Sequence, residues 1–409
     1  MGHRGRAIGA ALLSMGYAMA LFHRTAAAVI AGMLAVAFDV GLGEASRIAT
    51  VFFWTYALMQ LPCGIAADLI GSRRLAIAGC IATGAGSIAF ALAHDLDAAV
   101  AARAAVAAGC SVTFVTLMRY IKENWAPTRV ATISGRGILI GNLGAIASAA
   151  PLTVVLAFVD WRTLSALLGA ASLALAAALT MLTSEGRGRA QRAVTLRGVS
   201  GELRAVFSNP YNHLGFLILG GLAGAYYALV GLWAIPMLQY KGVPPALAAW
   251  GVSAMIAGYA LGATTLGWLG DRTRRRGRVL ALACSGALSL WALLVSGAHF
   301  TSAILAVMVI ALGFCCGAFN LVYAIVTEYN PVEHAGTATS YINVGIFAGA
   351  AMIQTLSTRI WAPSGNSYEV AMLPMAAGAA VALVGSLVLL ASRQPRSSLI
   401  ETKALASAA

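Results

Sequence analysis

Arg24 lies near the middle of an apolar stretch running from about Ala7 to Phe38, with His23 as its immediate neighbour. An arginine at that depth of a membrane helix costs about 2.5–3.5 kcal/mol, and it persists where it faces a bundle interior or a watery cleft. The residue type suits anion capture, because its planar fork donates two parallel hydrogen bonds to carboxylate or phosphate. The other outcome is a structural charge satisfied by neighbouring carbonyls and hydroxyls. His23 offers a titratable group beside it, and the adjacent like charge favours the neutral imidazole until an anion arrives. The two side chains leave the helix about 100° apart, so they cannot face one cavity squarely.

Further polar residues are expected at membrane depth and are candidates for lining that cavity: Tyr56, Gln60, Asn142, Tyr227, Asn320, Tyr323, Asn343 and Gln354. Each is equally able to tie two helices together by one hydrogen bond. Of the 14 acidic residues, none falls near the middle of an expected span. Proton-driven carriers commonly rely on a buried carboxylate. Two coupling schemes stay open here: exchange against a counter-anion, or proton symport through His23. No nucleophile–base pair, metal-ligand spacing or phosphate loop occurs, so the chain is not expected to be an enzyme and no cofactor or metal is implied. Cys63, Cys80, Cys110, Cys284, Cys315 and Cys316 all fall within or at the edge of expected spans and are read as small packing residues.

The elements that must hold these residues follow from composition. The 409 residues are 60% hydrophobic and only 10% charged, against about 25% charged in soluble domains. Apolar runs of about 20 residues mark membrane helices. Twelve are expected, at 7–36, 48–68, 75–93, 98–118, 134–159, 163–182, 214–238, 246–269, 279–298, 303–326, 337–358 and 370–391. The first run is too long for a signal peptide and has no suitably placed cleavage site. Most of the 27 basic residues fall in alternate loops. Lys and Arg mark the cytoplasmic side, so both termini are expected there, in a multi-pass protein of the inner (plasma) membrane. The net charge of +13 is therefore a topology signal and gives no ground for a nucleic-acid partner.

The organisation is a repeat. Gly64-x3-Asp68-x2-Gly71-x-Arg73-Arg74 follows the second span, and Gly267-x2-Gly270-Asp271-Arg272 follows the eighth. Asn142-Leu-Gly144 is echoed by Asn343-Val-Gly345, and Pro127 by Pro331. The offsets are 203, 201 and 204 residues. The polar stretch Ser184–His213 joins the halves, with a short amphipathic piece near 199–207. The expected domains are thus 1–183, a linker at 184–213, 214–392, and a tail at 393–409. A six-plus-six parallel repeat places a binding site between the halves near the midplane.

The loop sequence from Gly64 to Arg74 resembles the signature of the major facilitator superfamily, with Gly267 and Asp271 as its weaker second copy. Arg103, with Ala107 and Gly109 behind it, resembles a degraded form of the fourth-helix arginine motif, and Asp160-Trp161-Arg162 is also typical. The resemblance covers the whole chain. It implies an all-α membrane protein of two pseudo-symmetric six-helix bundles. It also implies a gating latch built from Gly64, Asp68, Gly71, Arg73, Arg74, Arg103, Gly267, Asp271 and Arg272. The first span, Tyr17-Ala-Met-Ala-Leu-Phe-His-Arg24-Thr, resembles that of organophosphate:phosphate antiporters and sugar-phosphate permeases, whose substrate-binding arginine falls on Arg24. Two positions depart from that branch. The seventh span offers Tyr226, Tyr227 and Trp233 in place of a second arginine, and Gln60 stands where lysine is frequent. Such a pocket fits a monoanion, or a larger and partly apolar anion, better than a dianionic phosphate ester.

The reading is a secondary transporter for a small organic anion, probing both sides by alternating access, with protons or a counter-anion as partner and the monomer as unit. An exporter of a siderophore, drug or anionic metabolite is the alternative, and a substrate sensor without transport the third.

Overall fold

The computed structural model describes residues 3–183, 196–331 and 334–392, all of whose regular elements are helical. The expected linker residues 184–195 and the tail 393–409 lie outside the described residues. Among the described residues, the helices at the twelve expected spans appear in the expected order. The first span is His3–Ala37, the second Arg47–Ile70, the third Ser72–Ala91, the fourth Leu96–Asn124, and the fifth Pro127–Ala147 continued by Ala150–Val155. The sixth is Trp161–Leu182, the seventh Pro210–Tyr240, the eighth Pro245–Thr273, the ninth Arg276–Val295, the tenth Ser302–Glu328, the eleventh Ala335–Trp361 and the twelfth Tyr368–Ala391. Ten of these are long and apolar enough to cross a bilayer. The fifth and eleventh are the less apolar pair. They carry the matched Asn142 and Asn343, together with Ser, Thr and Gly, and so resemble helices with one face turned away from lipid.

Helix ends follow local chemistry. The Asp160 carboxylate accepts from the Thr163 backbone N–H at 2.7 Å and caps the sixth span, which satisfies one of the donors left over at a helix start. That hydrogen bond, reinforced by the Thr163 hydroxyl, holds the Asp160 carboxyl below its ordinary value. A depressed carboxylate stabilises the fold above its unfolded pKa, and that contribution fades as pH falls through the folded value. We expect Asp160→Ala to lower the melting temperature at neutral pH and Asp160→Asn to retain most of it. The difference between wild type and Asp160→Ala should shrink on acidification, as read by thermal unfolding in detergent at pH 7 and pH 3. Gly71, at φ +84°, makes the tight turn between the second and third spans. Pro151 lacks an N–H and crowds the carbonyl one turn earlier, which accounts for the break at Ser148–Ala149 in the fifth span.

Packing repeats between the halves. The first span lies along the fifth, and the seventh along the eleventh. A Cβ on Gly144 would strike the Ala18 carbonyl, and one on Gly345 would meet the Phe216 carbonyl at 2.5 Å. Small residues at matched places let these helix backbones touch. The linker helix Leu196–Ser208 sits on the second half, where Glu202 accepts from the Thr337 hydroxyl at 3.1 Å.

The two halves meet on the face opposite the basic loops. Ser46 Oγ lies 3.2 Å from Thr358 Oγ1, and Trp54 Nε1 donates to Thr355 Oγ1 at 3.3 Å. The break in the fifth span frees the Ala150 N–H, which donates to Ser253 Oγ of the other half at 3.1 Å. An open backbone donor at membrane depth must find such a partner.

Candidate functional site

Arg24 sits at the junction of the halves, 7% exposed. Its guanidinium carbon lies 4.2 Å from the ring centre of Tyr227 and 5.9 Å from that of Phe347, both from the second half. Tyr17, Tyr56 and Tyr259 lie within electrostatic range. Tyr17 comes from seven residues earlier on the same helix, hence nearly the same face. Tyr56 stacks on Phe347 at 4.1 Å, and Tyr227 is nearly parallel to Phe347 at 6.3 Å. The Tyr227 hydroxyl is 3.1 Å from that of Tyr259, which in turn stacks on Tyr226 and Phe319. The seventh span bulges into one π-helical turn at Leu229–Trp233, the kind of distortion that collects at functional positions. Within it, Gly231 admits Phe53 of the first half; a Cβ there would lie 2.8 Å from that ring.

Electrostatically the site is one-sided. Among the described residues Nε of Arg24 has no hydrogen-bond partner. Among the described residues no carboxylate lies within ion-pairing range of its guanidinium. Aromatic faces compensate a desolvated cation by about 2 kcal/mol or more, well short of the several kcal/mol that burial of an ion costs.

Below Arg24, toward the basic face, a hydrogen-bonded chain crosses between the halves. The Tyr323 hydroxyl donates to Asn343 Oδ1 at 2.6 Å, and Asn343 Nδ2 donates to Gln60 Oε1 at 2.8 Å. Arg24, Tyr56, Gln60, Tyr227, Tyr323 and Asn343 are therefore gathered at one interface. The remaining candidates stand apart. Asn142 is half-buried and its amide returns to the Ile138 carbonyl of its own helix at 3.2 Å. Asn320 is exposed, and Gln354 is fully buried within the second half, donating to the Ala228 carbonyl at 3.2 Å. The side chain of His23 turns into the first half, where the His23 carbonyl accepts from Arg103 Nη2. Three aromatic members were not expected from sequence: Tyr17, Tyr259 and Phe347. The heptad spacing of Tyr17 to Arg24 and the one-turn spacing of Asn343 to Phe347 were the available signals.

The expected latch residues fall into separate local clusters. The Asp68 side chain lies outside the described residues. Arg73 caps the end of the sixth span, with Nε on Thr183 Oγ1 at 3.0 Å and Nη2 on the Thr180 carbonyl at 2.6 Å; Arg74 opens the third span beside it. Asp271 pairs with Arg276 at 2.6 Å, and Arg276 also pairs with Glu328, which ties the eighth, ninth and tenth spans. Arg272, the expected neighbour of Asp271, instead covers the Trp268 ring at 5.2 Å. A sterically tight approach at Gly64 is not made: a Cβ at Gly64 or at its counterpart Gly267 would meet open space. Arg103 stays inside the first half with its guanidinium carbon 4.8 Å from the Phe52 ring centre.

Known proteins place this arrangement. No curated protein matches the chain significantly. Among solved structures, a bacterial homologue of the human lysosomal transporter Spinster, inward-facing and unoccupied, is 16% identical with a TM-score of 0.73, over 95% of this chain and 97% of that one. The nucleoside transporter NupG is 14% identical with a TM-score of 0.73, over 93% and 99%. The fucose:proton symporter FucP of E. coli is 17% identical with a TM-score of 0.66, over 95% and 100%. These likenesses establish the fold. The family model of the Major Facilitator Superfamily matches residues 13–241 and 215–408. Twelve helices in two repeated halves, joined over an interface that holds a buried cation, thus belong to a chain of the Major Facilitator Superfamily.

Proposed function

We propose that this protein is a secondary transporter that moves a small, partly apolar organic monoanion by alternating access, with Arg24 as the anchor. The observation that carries the reading is Arg24, buried between the halves on an aromatic wall, with no carboxylate partner and no hydrogen bond to its Nε among the described residues. A carboxylate arriving there would gain charge-assisted hydrogen bonds, and the rings of Tyr227, Phe347 and Tyr56 would cover its apolar part. The wall supplies one fixed positive charge, which matches a monoanion and leaves a dianion half-compensated.

Alternating access needs a second closed state. In this structure the halves touch at Ser46–Thr358 and Trp54–Thr355, while Gly64 and Gly267 stand open near the basic face. Closure of that face would bring the two loop clusters together as the contacts opposite separate. The Gln60–Asn343–Tyr323 chain lies between these two regions and would have to break or re-form with the cargo, so it couples occupancy to the rocking of the halves.

With no carboxylate near mid-span and the His23 side chain turned away from the Arg24 wall, exchange against a counter-anion is the coupling we favour. Proton symport, the activity named for the fucose neighbour, is the second scheme. The deciding experiment uses purified protein in proteoliposomes with radiolabelled monocarboxylates, phosphate monoesters and neutral sugars. We expect uptake of an aromatic or branched monocarboxylate that requires the same anion inside and is indifferent to an imposed pH gradient. Transport of neutral sugars alone would overturn the anion reading. Uptake that follows the pH gradient with empty vesicles would reject exchange.

A further inference from the structure

A second cationic site lies inside the first half, away from the interface. A narrow cavity opens between the first, third, fourth and sixth spans, walled by Phe22, Phe90 and Trp161 and reached by His23, Ser87 and Arg103. These three polar residues are 4%, 2% and 4% exposed. Three of their atoms, His23 Nε2, Ser87 Oγ and Arg103 Nε, are buried without a hydrogen-bond partner among the described residues. The only polar contact described for the Arg103 guanidinium is the His23 carbonyl, and its one ring contact is Phe52. Among the described residues no carboxylate pairs with it.

The chemistry of these groups is that of donors. Arg103 Nε–H can only donate, the Ser87 hydroxyl can donate, and a neutral imidazole carrying its proton on Nε2 donates as well. A water molecule can accept two hydrogen bonds, must place two protons of its own, and leaves the arginine charge uncompensated. A monatomic anion accepts all three donors and neutralises the charge. A buried arginine left without a counter-charge is costly, and the narrow aromatic walls exclude an organic acid. We propose that this cavity binds a halide ion, chloride under ordinary conditions, as a resident counter-ion for Arg103. The site is enclosed by one half only, so the ion is a fixed part of that bundle and is independent of what Arg24 carries.

The test is thermal unfolding of the full chain in detergent, in sodium chloride, sodium bromide and sodium gluconate at equal ionic strength. A ligand of the folded state raises the melting temperature with concentration, so chloride and bromide should raise it saturably above gluconate. Ser87→Ala loses one charge-assisted donor and should raise the half-saturating chloride concentration about tenfold, while leaving the melting temperature in gluconate unchanged. Arg103→Met should abolish the response. Should that variant fail to fold, iodide quenching of tryptophan fluorescence decides, because the saturable component should vanish in Trp161→Phe. Arg24→Gln should leave the halide response intact. A melting temperature indifferent to halide would overturn the proposal, and so would a response lost in Arg24→Gln but retained in Ser87→Ala.

Discussion

Arg24→Gln is expected to reduce kcat/KM for the transported anion by about a hundredfold, equivalent to about 2.7 kcal/mol, while the protein still folds and inserts. Two charge-assisted hydrogen bonds to a desolvated anion account for a loss of that size. The same substitution should leave the melting temperature of the substrate-free protein unchanged or raise it. Arg24 is 7% exposed and holds no carboxylate partner among the described residues, so the folded state sheds a buried charge when it is removed. A structural arginine would behave in the opposite way, with melting temperature and transport falling together. Arg24→Lys separates charge from geometry. The ammonium keeps the sign but loses the planar fork, and we expect a loss of about tenfold with little change in expression. Normal uptake by Arg24→Gln in proteoliposomes would end the anchor assignment.

The second large effect concerns closure. Ser46 and Thr358 belong to opposite halves, and their hydroxyl oxygens are 3.2 Å apart. Cysteines at the two positions fall within reach of a disulfide, whose side-chain geometry requires Cβ atoms about 3.5–4.5 Å apart. In the double variant Ser46→Cys, Thr358→Cys, oxidation should fasten the face opposite the basic loops and reduce uptake to the level of empty liposomes. Reduction should restore it, and each single variant should be insensitive to oxidant. The native cysteines lie within helices, none of them paired in the structure, and serve as the built-in control. A cross-linked protein that still transports at the normal rate would show that this contact does not need to open, which alternating access cannot accommodate.

Both experiments probe positions of unequal legibility in the amino-acid sequence. Arg24 stood out because a charge within some thirty apolar residues is costly and calls for either an anionic ligand or protein acceptors. The pairing of Asn142 with Asn343 was equally visible as a repeat, yet the two play different parts. Asn343 joins the chain to Gln60 across the interface, whereas Asn142 bonds within its own helix. Repetition fixes where two residues lie along matched helices. It does not fix the rotation or tilt that the break at Ser148–Ala149 gives the fifth span alone. Tyr259 and Phe347 were hidden for a related reason. An aromatic residue in an apolar helix fits lipid, core and cavity alike, and only the neighbouring helices choose among them.

Sequence by itself determined the class of molecule, the number and order of the helices, the division into two repeated halves and the buried cation. These follow from composition, from runs of about 20 apolar residues and from a repeat near 200 residues, all of which are one-dimensional properties. The tertiary structure decided what each polar group faces. It turned His23 and Arg24, one residue apart, toward different surroundings: the former into the first half beside Arg103, the latter onto Tyr227 across the interface. It also distributed the loop charges, giving Asp271 to Arg276 and laying Arg272 over Trp268. The reason is physical. Along a helix the direction of a side chain is set to within a rotation about the axis, and that rotation is chosen by close packing between helices, where single glycines such as Gly144 and Gly231 admit a neighbour and larger residues would not.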